Sequence, residues 1–354
     1  MKIESVDFMK IRLEREEPFR IATGVSKDTV NFLIIIHAGD IDGLGVAVPN
    51  SVTKETAESI ENSILKVRGI LIGCDAEDID GIHNILDRKL PGYPAVESGV
   101  DLAIYDLIGK LKGFEVCDML GRMRDCIETS FTIGIEDLET SVKKAANAVK
   151  SGFRVLKIKT GLDVNGDIRR VGAIRDVVGS GIRLRVDCNQ GYSFEEAKRF
   201  VEELDCLDVE FVEQPVSASD FESMKKLSSI SSIPIMADES AKTLDDVNRI
   251  IREDCASMIN LKLVKFGGIH SAVIIDTLCK DHGIGIQVGC MSECAASIAG
   301  GLHFALSGKA VKYADLDSHF SFVNDPTNGV EFRDGRLYTS GSPGLGVNLI
   351  VSED

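Results

Sequence analysis

Hydrophobic and polar residues follow one pattern up to about residue 115 and a different one after about residue 130. The first fifty residues contain apolar and alternating runs, such as NFLIIIH at 31–37, that are typical of β-strands. Between these runs, the small residues of PFRIATGVSKDT at 18–29 predict a mobile loop. Helical periodicity follows at 54–73, 76–89 and 97–112. We therefore expect an N-terminal α+β capping domain over residues 1–115.

The second pattern alternates short apolar runs with amphipathic stretches. Eight strand-like runs, from SFTIGI to VKYADLDSH, are separated by helical stretches at 137–151, 165–178, 194–205, 219–229, 243–253, 268–282 and 293–306. This alternation predicts βαβ units with a parallel sheet, and the even spacing favours closure into a barrel. The predicted fold class is α/β, with a (β/α)7–8 TIM-type barrel over residues 116–320. A C-terminal segment, 321–354, is expected to pack back on the capping domain and complete it.

Composition limits the possible partners of the chain. Its formal net charge of −16 makes nucleic acid or an anionic membrane surface an unfavourable partner. Its nine cysteines include no C-x-x-C pair, and no uncharged apolar run reaches membrane-spanning length. Without a leader-like apolar segment at its start, the chain is expected to be cytoplasmic.

A polar residue recurs at the end of each predicted barrel strand, at intervals of 24 to 28 residues. Active sites of such barrels lie at the C-terminal ends of the strands, so residues repeating with this period converge on one pocket. The residues are Thr132, Lys157 with Lys159, Asp187 with Asn189, Glu213, Asp238 with Glu239, Lys262, Cys290, and Asp315 with Asp317.

Three acids, Asp187, Glu213 and Asp238, end consecutive strands. Neighbouring strand ends lie roughly 5 Å apart, so unpaired carboxylates there would repel one another. An all-oxygen site with room for water and substrate suits Mg²⁺, which we predict as the cofactor. Asn189 and Glu239 would support these ligands from behind. The alternative is three unrelated rim acids with basic partners.

Three lysines accompany the acids. Lys157 and Lys159 alternate on one strand and so share a face, while Lys262 ends a strand across the acid trio. Apolar and cationic surroundings are expected to lower the pKa of Lys159 and Lys262 and make them general bases. Two bases on opposite faces of a planar intermediate permit inversion of a stereocentre. Alternatively, the lysines only neutralise the acids, and this role fits Lys157 best. A fourth lysine, Lys265, is expected to be solvated or paired rather than catalytic.

The last strand carries a further acid pair. Asp315 and Asp317 alternate and so face one side, where they would bind an α-ammonium group. A helix N-cap or a solvated turn is the alternative, since Asp favours both.

Together these motifs resemble the enolase superfamily, in its muconate-lactonizing-enzyme branch. They are KIK at 157–159, DCNQG from Asp187, EQP from Glu213, DES from Asp238 and NLKLVKFGG around Lys262. DLD at 315–317 is similar to the motif of the dipeptide epimerases in that branch, the L-Ala-D/L-Glu epimerase-like enzymes. The resemblance covers essentially the whole chain.

The resemblance implies a Mg²⁺-dependent isomerase that inverts the α-carbon of the second residue of a dipeptide through an enediolate. Lys159 would act on the (R)-epimer and Lys262 on the (S)-epimer, while Lys157 would stabilise the intermediate. It further implies that Thr132, Cys290 and Ser292 touch the substrate, and that the enzyme is a homo-oligomer.

Substrate preference and the nearest rival functions follow from smaller differences. Relatives that favour L-Ala-D/L-Glu can carry an arginine where this chain has Gly24. The neighbouring Phe19, Ile21 and Val25 would make the pocket apolar, which favours a hydrophobic second residue.

The rival on the same scaffold is o-succinylbenzoate synthase or muconate cycloisomerase, neither of which needs an aspartate pair for ammonium. A non-catalytic protein that binds small acids would be expected to lack some of the bases or metal ligands, and none is missing.

Overall fold

An antiparallel three-stranded sheet with helices forms the N-terminal part of the computed structural model, which describes residues 1–350. The elements are β1 (Ser5–Ile21), β2 (Gly24–Ala38), β3 (Ile41–Ala47), α1 (Ala57–Leu71), α2 (Ile79–Lys89), α3 (Pro94–Lys112) and α4 (Val116–Met119). Helix α3 packs directly on β3, and the apolar face of the sheet, which includes Phe32, Ile34 and Ile36, is fully buried. The sheet and its helices therefore share one core.

The segment at 18–29 is not the irregular loop that its small residues predicted. Strands β1 and β2 continue through it as a hairpin to the pair Ile21 and Gly24, with a register shift between Glu14 and Phe19. The tip lies on the barrel, where the N–H of Ile135 donates to the carbonyl of Arg20 at 2.8 Å. The loop prediction was wrong because only Ala22 and Thr23 form the turn, while Gly24 and Ser26 are paired across the hairpin with β1.

The predicted closed barrel is confirmed. After the short strand β4 (Ile127–Glu128), eight parallel strands pair in chain order. They are β5 (Phe131–Ile133), β6 (Val155–Lys159), β7 (Arg183–Asp187), β8 (Val209–Glu213), β9 (Ile235–Ala237), β10 (Met258–Leu261), β11 (Gly285–Gly289) and β12 (Val311–Asp315). A parallel bridge between Thr129, two residues before β5, and Ala314 in β12 joins the two ends of the sheet.

Helices cover the outside of the barrel. They are α5 (Leu138–Lys150), α6 (Val164–Val178), α7 (Phe194–Leu204), α8 (Phe221–Ile230), α9 (Leu244–Glu253), α10 (Leu263–Phe266), α11 (Ile269–Asp281) and α12 (Ala295–Ser307). Many begin where a Thr, Ser or Asp side chain accepts a hydrogen bond from the first turn, as Asp137, Ser193 and Thr243 do. Among the described residues, none of the helices combines the length and apolar character needed to cross a bilayer.

The chain after residue 320 touches both parts of the protein. Strand β13 (Val330–Arg333) pairs with β14 (Arg336–Thr339), and β14 pairs with β4 to form a small antiparallel sheet. The N–H of Val323 donates to the carbonyl of Glu14 at 3.0 Å, which ties the segment to the N-terminal hairpin. The N–H of Leu345 donates to Asp106 on α3 at 2.7 Å.

Close packing of α3 on β3 depends on glycine. A Cβ at Gly45 would lie 2.0 Å from the carbonyl oxygen of Gly99, whereas a Cβ at Gly69 on α1 would meet nothing within 4 Å. We expect Gly45→Ala to lower the free energy of unfolding by about 1–3 kcal/mol or more, because backbone must move apart. Gly69→Ala, the matched control, should leave stability unchanged or raise it by up to about 1 kcal/mol. Urea unfolding of both variants measures this, and equal stabilities would contradict the packing argument.

Candidate active site

The three predicted acids converge at the C-terminal end of the barrel. Asp187 and Glu213 are the last residues of β7 and β8 and are partners in register, and Asp238 directly follows β9. One oxygen from each carboxylate lies within 4.8 Å of the others, and all three side chains are buried. Three oxygens at this separation can bind a single hard divalent cation.

Burial and repulsion decide how these acids hold protons. Burial, assisted by the charge of Asp187, raises the pKa of Glu213 to about 7. Burial also opposes ionisation of Asp187 and Asp238, but contacts with lysines outweigh it and lower the pKa of both. The trio therefore concentrates three carboxylates at one point, and the neighbouring lysines keep Asp187 and Asp238 charged. Such a donor set fits Mg²⁺, which accepts carboxylate oxygens and carries two positive charges.

Asn189 and Glu239 lie beside the trio. The side chain of Asn189 accepts from Lys159 at 3.1 Å and donates to Glu239 at 3.2 Å, and its backbone N–H donates to Asp187 at 3.0 Å. Burial, with the charge of Asp238, raises the pKa of Glu239 to about 7. Its Oε2 is buried and has no hydrogen-bond partner in the described part of the chain.

Lys157 lies at the centre of the acids. Its Nζ is 3.0 Å from Asp187, 2.8 Å from Glu213 and 2.8 Å from Asp315, and the side chain is almost completely buried. Burial opposes its charge, but the three carboxylates outweigh burial and raise its pKa well above the usual range. Lys157 is therefore a permanent cation that holds the acid groups together.

Lys159 and Lys262 flank the trio on opposite sides, at the ends of β6 and β10. Lys159 Nζ is 2.7 Å from Asp187, and Lys262 Nζ is 2.7 Å from Asp238. The expected lowering of the pKa of Lys262 is wrong for this structure: burial does lower it, but Asp238 outweighs burial and raises it. The sequence prediction considered only apolar and cationic surroundings, whereas each flanking ammonium contacts a carboxylate of the trio.

Four further residues join the site without having been predicted there. Lys265, expected to be solvated or paired, is buried and donates to Asp238 at 2.6 Å. Asn260 and Gln287, partners on β10 and β11, donate to the two oxygens of Glu213 at 2.7 and 3.3 Å. Alternation along β10 could have revealed Asn260, since it lies two residues before Lys262 on the same face. Arg15, the fourth, comes from the N-terminal hairpin.

The hairpin supports the loop that follows β11. Arg15 Nη2 donates to Ser292 Oγ at 2.7 Å, and the Asn31 side chain donates to the Ser292 carbonyl at 3.0 Å. Cys290 directly follows β11, and burial raises the pKa of its thiol. Met291 in the same loop places its sulfur 4.0 Å from Lys262 Nζ, so it lines the pocket. The pocket is thus formed by residues from both ends of the sequence.

Asp315 and Asp317 lie close to one another, but their surroundings differ. Asp315 accepts from Lys157 at 2.8 Å and from Ser130 at 2.6 Å, which occupies both of its oxygens. Asp317 accepts only from the N–H of Thr132, at 2.6 Å, within the described residues. Burial, with the charge of Asp315, raises the pKa of Asp317 to about 6.

Asp317 does not act as a helix cap. It precedes the 3₁₀ turn Ser318–Ser321, yet its side chain makes no capping hydrogen bond. This observation disfavours the capping alternative and leaves one oxygen of Asp317 available to a ligand.

Both parts of the chain match known families. Residues 4–121 match the mandelate racemase / muconate lactonizing enzyme N-terminal domain, and residues 140–353 match the enolase C-terminal domain-like family. The chain belongs to the mandelate racemase and muconate lactonizing enzyme family. This confirms the resemblance to the enolase superfamily that the motifs indicated.

Similar members of this family include named epimerases. The hydrophobic dipeptide epimerase of Enterococcus faecalis is 33% identical, with 98% of this chain and 100% of that protein covered. The L-Ala-D/L-Glu epimerase of Thermotoga maritima is 36% identical over 94% of this chain and 97% of its own length. A crystal structure of the dipeptide epimerase from Enterococcus faecalis V583, complexed with Mg and the dipeptide L-Leu-L-Tyr, superposes with a TM-score of 0.96 at 32% identity. It covers 98% of this chain and 100% of that one.

The acid trio generates a prediction about Glu213. Because its folded-state pKa is raised to about 7, the metal-free protein should lose stability as pH rises from about 4.5 to 7. Glu213→Gln keeps the hydrogen-bonding shape without the charge, so it should reduce this loss by the share of Glu213, while Glu239 and Asp317 keep theirs. Thermal midpoints in EDTA at pH 5 and pH 8 measure the difference between the two proteins.

The same variant should respond less to Mg²⁺. At pH 8, saturating MgCl₂ should raise the thermal midpoint of the wild type. The free energy of unfolding should rise by about 2.7 kcal/mol when the ion is 100-fold above its dissociation constant. Glu213→Gln should gain markedly less, and NaCl of equal ionic strength should have no such effect on either protein. Equal gains from Mg²⁺ in both proteins would exclude Glu213 as a ligand.

Proposed function

We propose that this protein is a Mg²⁺-dependent dipeptide epimerase that inverts the α-carbon of the C-terminal residue by proton transfer through two lysines. One observation carries the proposal: Lys159 and Lys262 flank the acid trio from opposite sides, each 2.7 Å from a different acid. The epimerases among its relatives support the same class of reaction. The product is the epimer of the substrate, so no group is lost or added.

In the proposed reaction Asp187, Glu213 and Asp238 hold the Mg²⁺. When bound, the ion supplies positive charge that stabilises the negative charge developing on the substrate carboxylate. Asn260 and Gln287 orient the Glu213 carboxylate through hydrogen bonds to its two oxygens. Lys157, cationic at every working pH, adds a second positive charge beside the carboxylate.

The two flanking lysines move the proton. Lys159 in its neutral form accepts the α-proton of the (R)-epimer, and Lys262 donates a proton to the opposite face. For the (S)-epimer the roles are exchanged. The intermediate is planar at the α-carbon, so delivery from the second face inverts the configuration.

The loop after Lys159 is held by a buried carboxylate. Asp167 accepts from the N–H of Gly161 at 2.9 Å and from the Tyr192 hydroxyl at 2.7 Å. Arg170 pairs with Asp167 at 2.7 Å and also donates to the carbonyl of Lys159. This network limits the movement of the Lys159 backbone, as a base that must reach one face of the substrate requires.

Asp317 accepts the substrate ammonium in this proposal. Asp315 also contributes negative charge, although its oxygens are used by Lys157 and Ser130. Thr132, Cys290 and Ser292 line the same pocket and contact the dipeptide. This charge arrangement suits a substrate with a free amine at one end and a carboxylate at the other.

The preferred second residue is hydrophobic. Phe19 and Ile21 lie on the hairpin that covers this end of the barrel, and Val25 is largely exposed at its tip. Gly24 offers no cation for an acidic side chain, and space is open around it. An apolar side chain on the second residue of the substrate would pack against these hairpin residues and be removed from water.

We also propose a domain organisation, a cellular compartment and an oligomeric state for the enzyme. In this proposal residues 1–115 form a capping domain on the barrel of residues 116–320, and the segment 321–354, of which 351–354 lie outside the described residues, completes it. The contact of Leu345 with Asp106 supports this division. The enzyme works in the cytoplasm as a homo-oligomer; in the described residues all nine cysteines are unpaired, as a reducing compartment requires.

Isotope exchange tests the two bases. In D₂O, Lys159→Met should still exchange the α-proton of the (S)-epimer, and Lys262→Met that of the (R)-epimer, because each retains one base. Both should lose epimerisation by about 10²–10⁴-fold. Proton NMR follows exchange and inversion over a panel of dipeptides, in which hydrophobic second residues should give a higher kcat/KM than glutamate. Each variant is the control for the other, and exchange of both epimers by either one would refute the two-base proposal.

Asp317→Asn tests ammonium binding. It should lower kcat/KM for free dipeptides by about 10–100-fold, because a charged hydrogen bond is lost, and should barely affect N-acetyl dipeptides. Since the pKa of Asp317 is about 6, the wild type should lose kcat/KM for free dipeptides as pH falls through 6. The Asn variant should lack this step in its pH profile. Normal dipeptide turnover by the variant would remove the ammonium role, and turnover of a succinylbenzoate precursor or a muconate instead would favour the rival functions.

A further inference from the structure

A second polar cavity, of about 190 Å³, opens at the N-terminal ends of the barrel strands, away from the proposed active site. Its walls come from β4, β7, β12 and β14. Four cationic side chains line it, namely Arg183, Arg185, Lys312 and Arg336. So many cations around one small space are unusual in a chain whose formal net charge is −16.

Arg185 is the innermost of these cations, with only 1% of its surface exposed. Its Nε donates to Glu210 at 2.8 Å and its Nη1 donates to the carbonyl of Ala314 at 2.8 Å. The rings of Phe211 and Tyr313 cover its guanidinium, with centroids 5.4 and 4.6 Å from its central carbon. Its Nη2 has no partner among residues 1–350, so the two N–H groups of this nitrogen are left for a ligand.

The carboxylates around the cavity do not balance its cations. Arg183 pairs with Glu128 and lies 3.9 Å from Glu210, which also serves Arg185. Lys312 and Arg336 are exposed, and in the described part of the chain neither has a carboxylate oxygen within 4.0 Å. Four cations thus face two carboxylates, which leaves two positive charges uncompensated.

We propose that this cavity binds a small oxyanion of the phosphate class. A phosphate group carries close to two negative charges at neutral pH and several acceptor oxygens, which matches the two uncompensated charges and the guanidinium donors. Arg185 contacts the anion from inside the cavity, and Lys312 and Arg336 close over it from the solvent side. Neither Lys312 nor Arg336 belongs to the proposed active site, so the binding of an oxyanion here is independent of epimerisation.

Isothermal titration of the full-length protein with inorganic phosphate, at constant ionic strength, tests the proposal. The wild type should show saturable binding of one phosphate per chain. The double variant Lys312→Gln/Arg336→Gln, which changes only exposed side chains, should weaken binding by at least about tenfold. The matched control is Lys66→Gln/Lys89→Gln, which removes two exposed cations from α1 and α2 and makes the same change in net charge.

Three outcomes would overturn the proposal. The first is no saturable phosphate binding by the wild type. The second is an equal loss of binding in the control double variant, which would show that net charge alone attracts the anion. The third is displacement of phosphate by equimolar chloride or acetate, which would show no preference for an oxyanion of two charges. Each double variant should have a thermal midpoint close to that of the wild type, because all of the substituted side chains are exposed.

Discussion

The balance between buried carboxylates and buried ammonium groups governs this protein. Asp187, Glu213 and Asp238 are removed from water at one end of the barrel, where uncompensated negative charge would be strongly unfavourable. Lys157 and two flanking lysines supply the compensation, at contact distances of 2.7 to 3.0 Å. The same ion pairs that compensate the acids place one amine on each side of the trio, where the proposed reaction needs its two bases. Stability and chemistry here depend on one set of contacts.

Much of this arrangement could be predicted from the sequence, because a parallel barrel repeats its strand ends at a regular interval. That regularity located the acids and the flanking lysines, and alternation within a strand paired Lys157 with Lys159. The eight strands and their helices were recognisable for a related reason, since each helix has its own apolar face and many have a polar cap.

What the sequence could not supply is pairing between distant segments. Arg15 reaches Ser292 only because the N-terminal hairpin lies on the barrel, and no local sequence pattern predicts that contact. The hairpin itself is ordered by cross-strand hydrogen bonds, which overcome the flexibility that its small residues would otherwise favour. The raised pKa of Lys262 has a similar origin, because it depends on a 2.7 Å distance to Asp238 rather than on residue type.

The interior of the barrel is polar along much of its length. Lys157 contacts Glu213, Glu213 accepts from Gln287, and the Gln287 side chain in turn lies 3.5 Å from Arg185 near the opposite end. A barrel centre filled with aliphatic side chains could accept changes of size at single positions, whereas each member of this column has partners both above and below it. Replacement of one member by an apolar residue leaves a charged group or an amide without its hydrogen-bond partner on each side. The centre of this barrel is therefore expected to change by coordinated substitutions, whereas the exposed faces of its outer helices can vary one residue at a time.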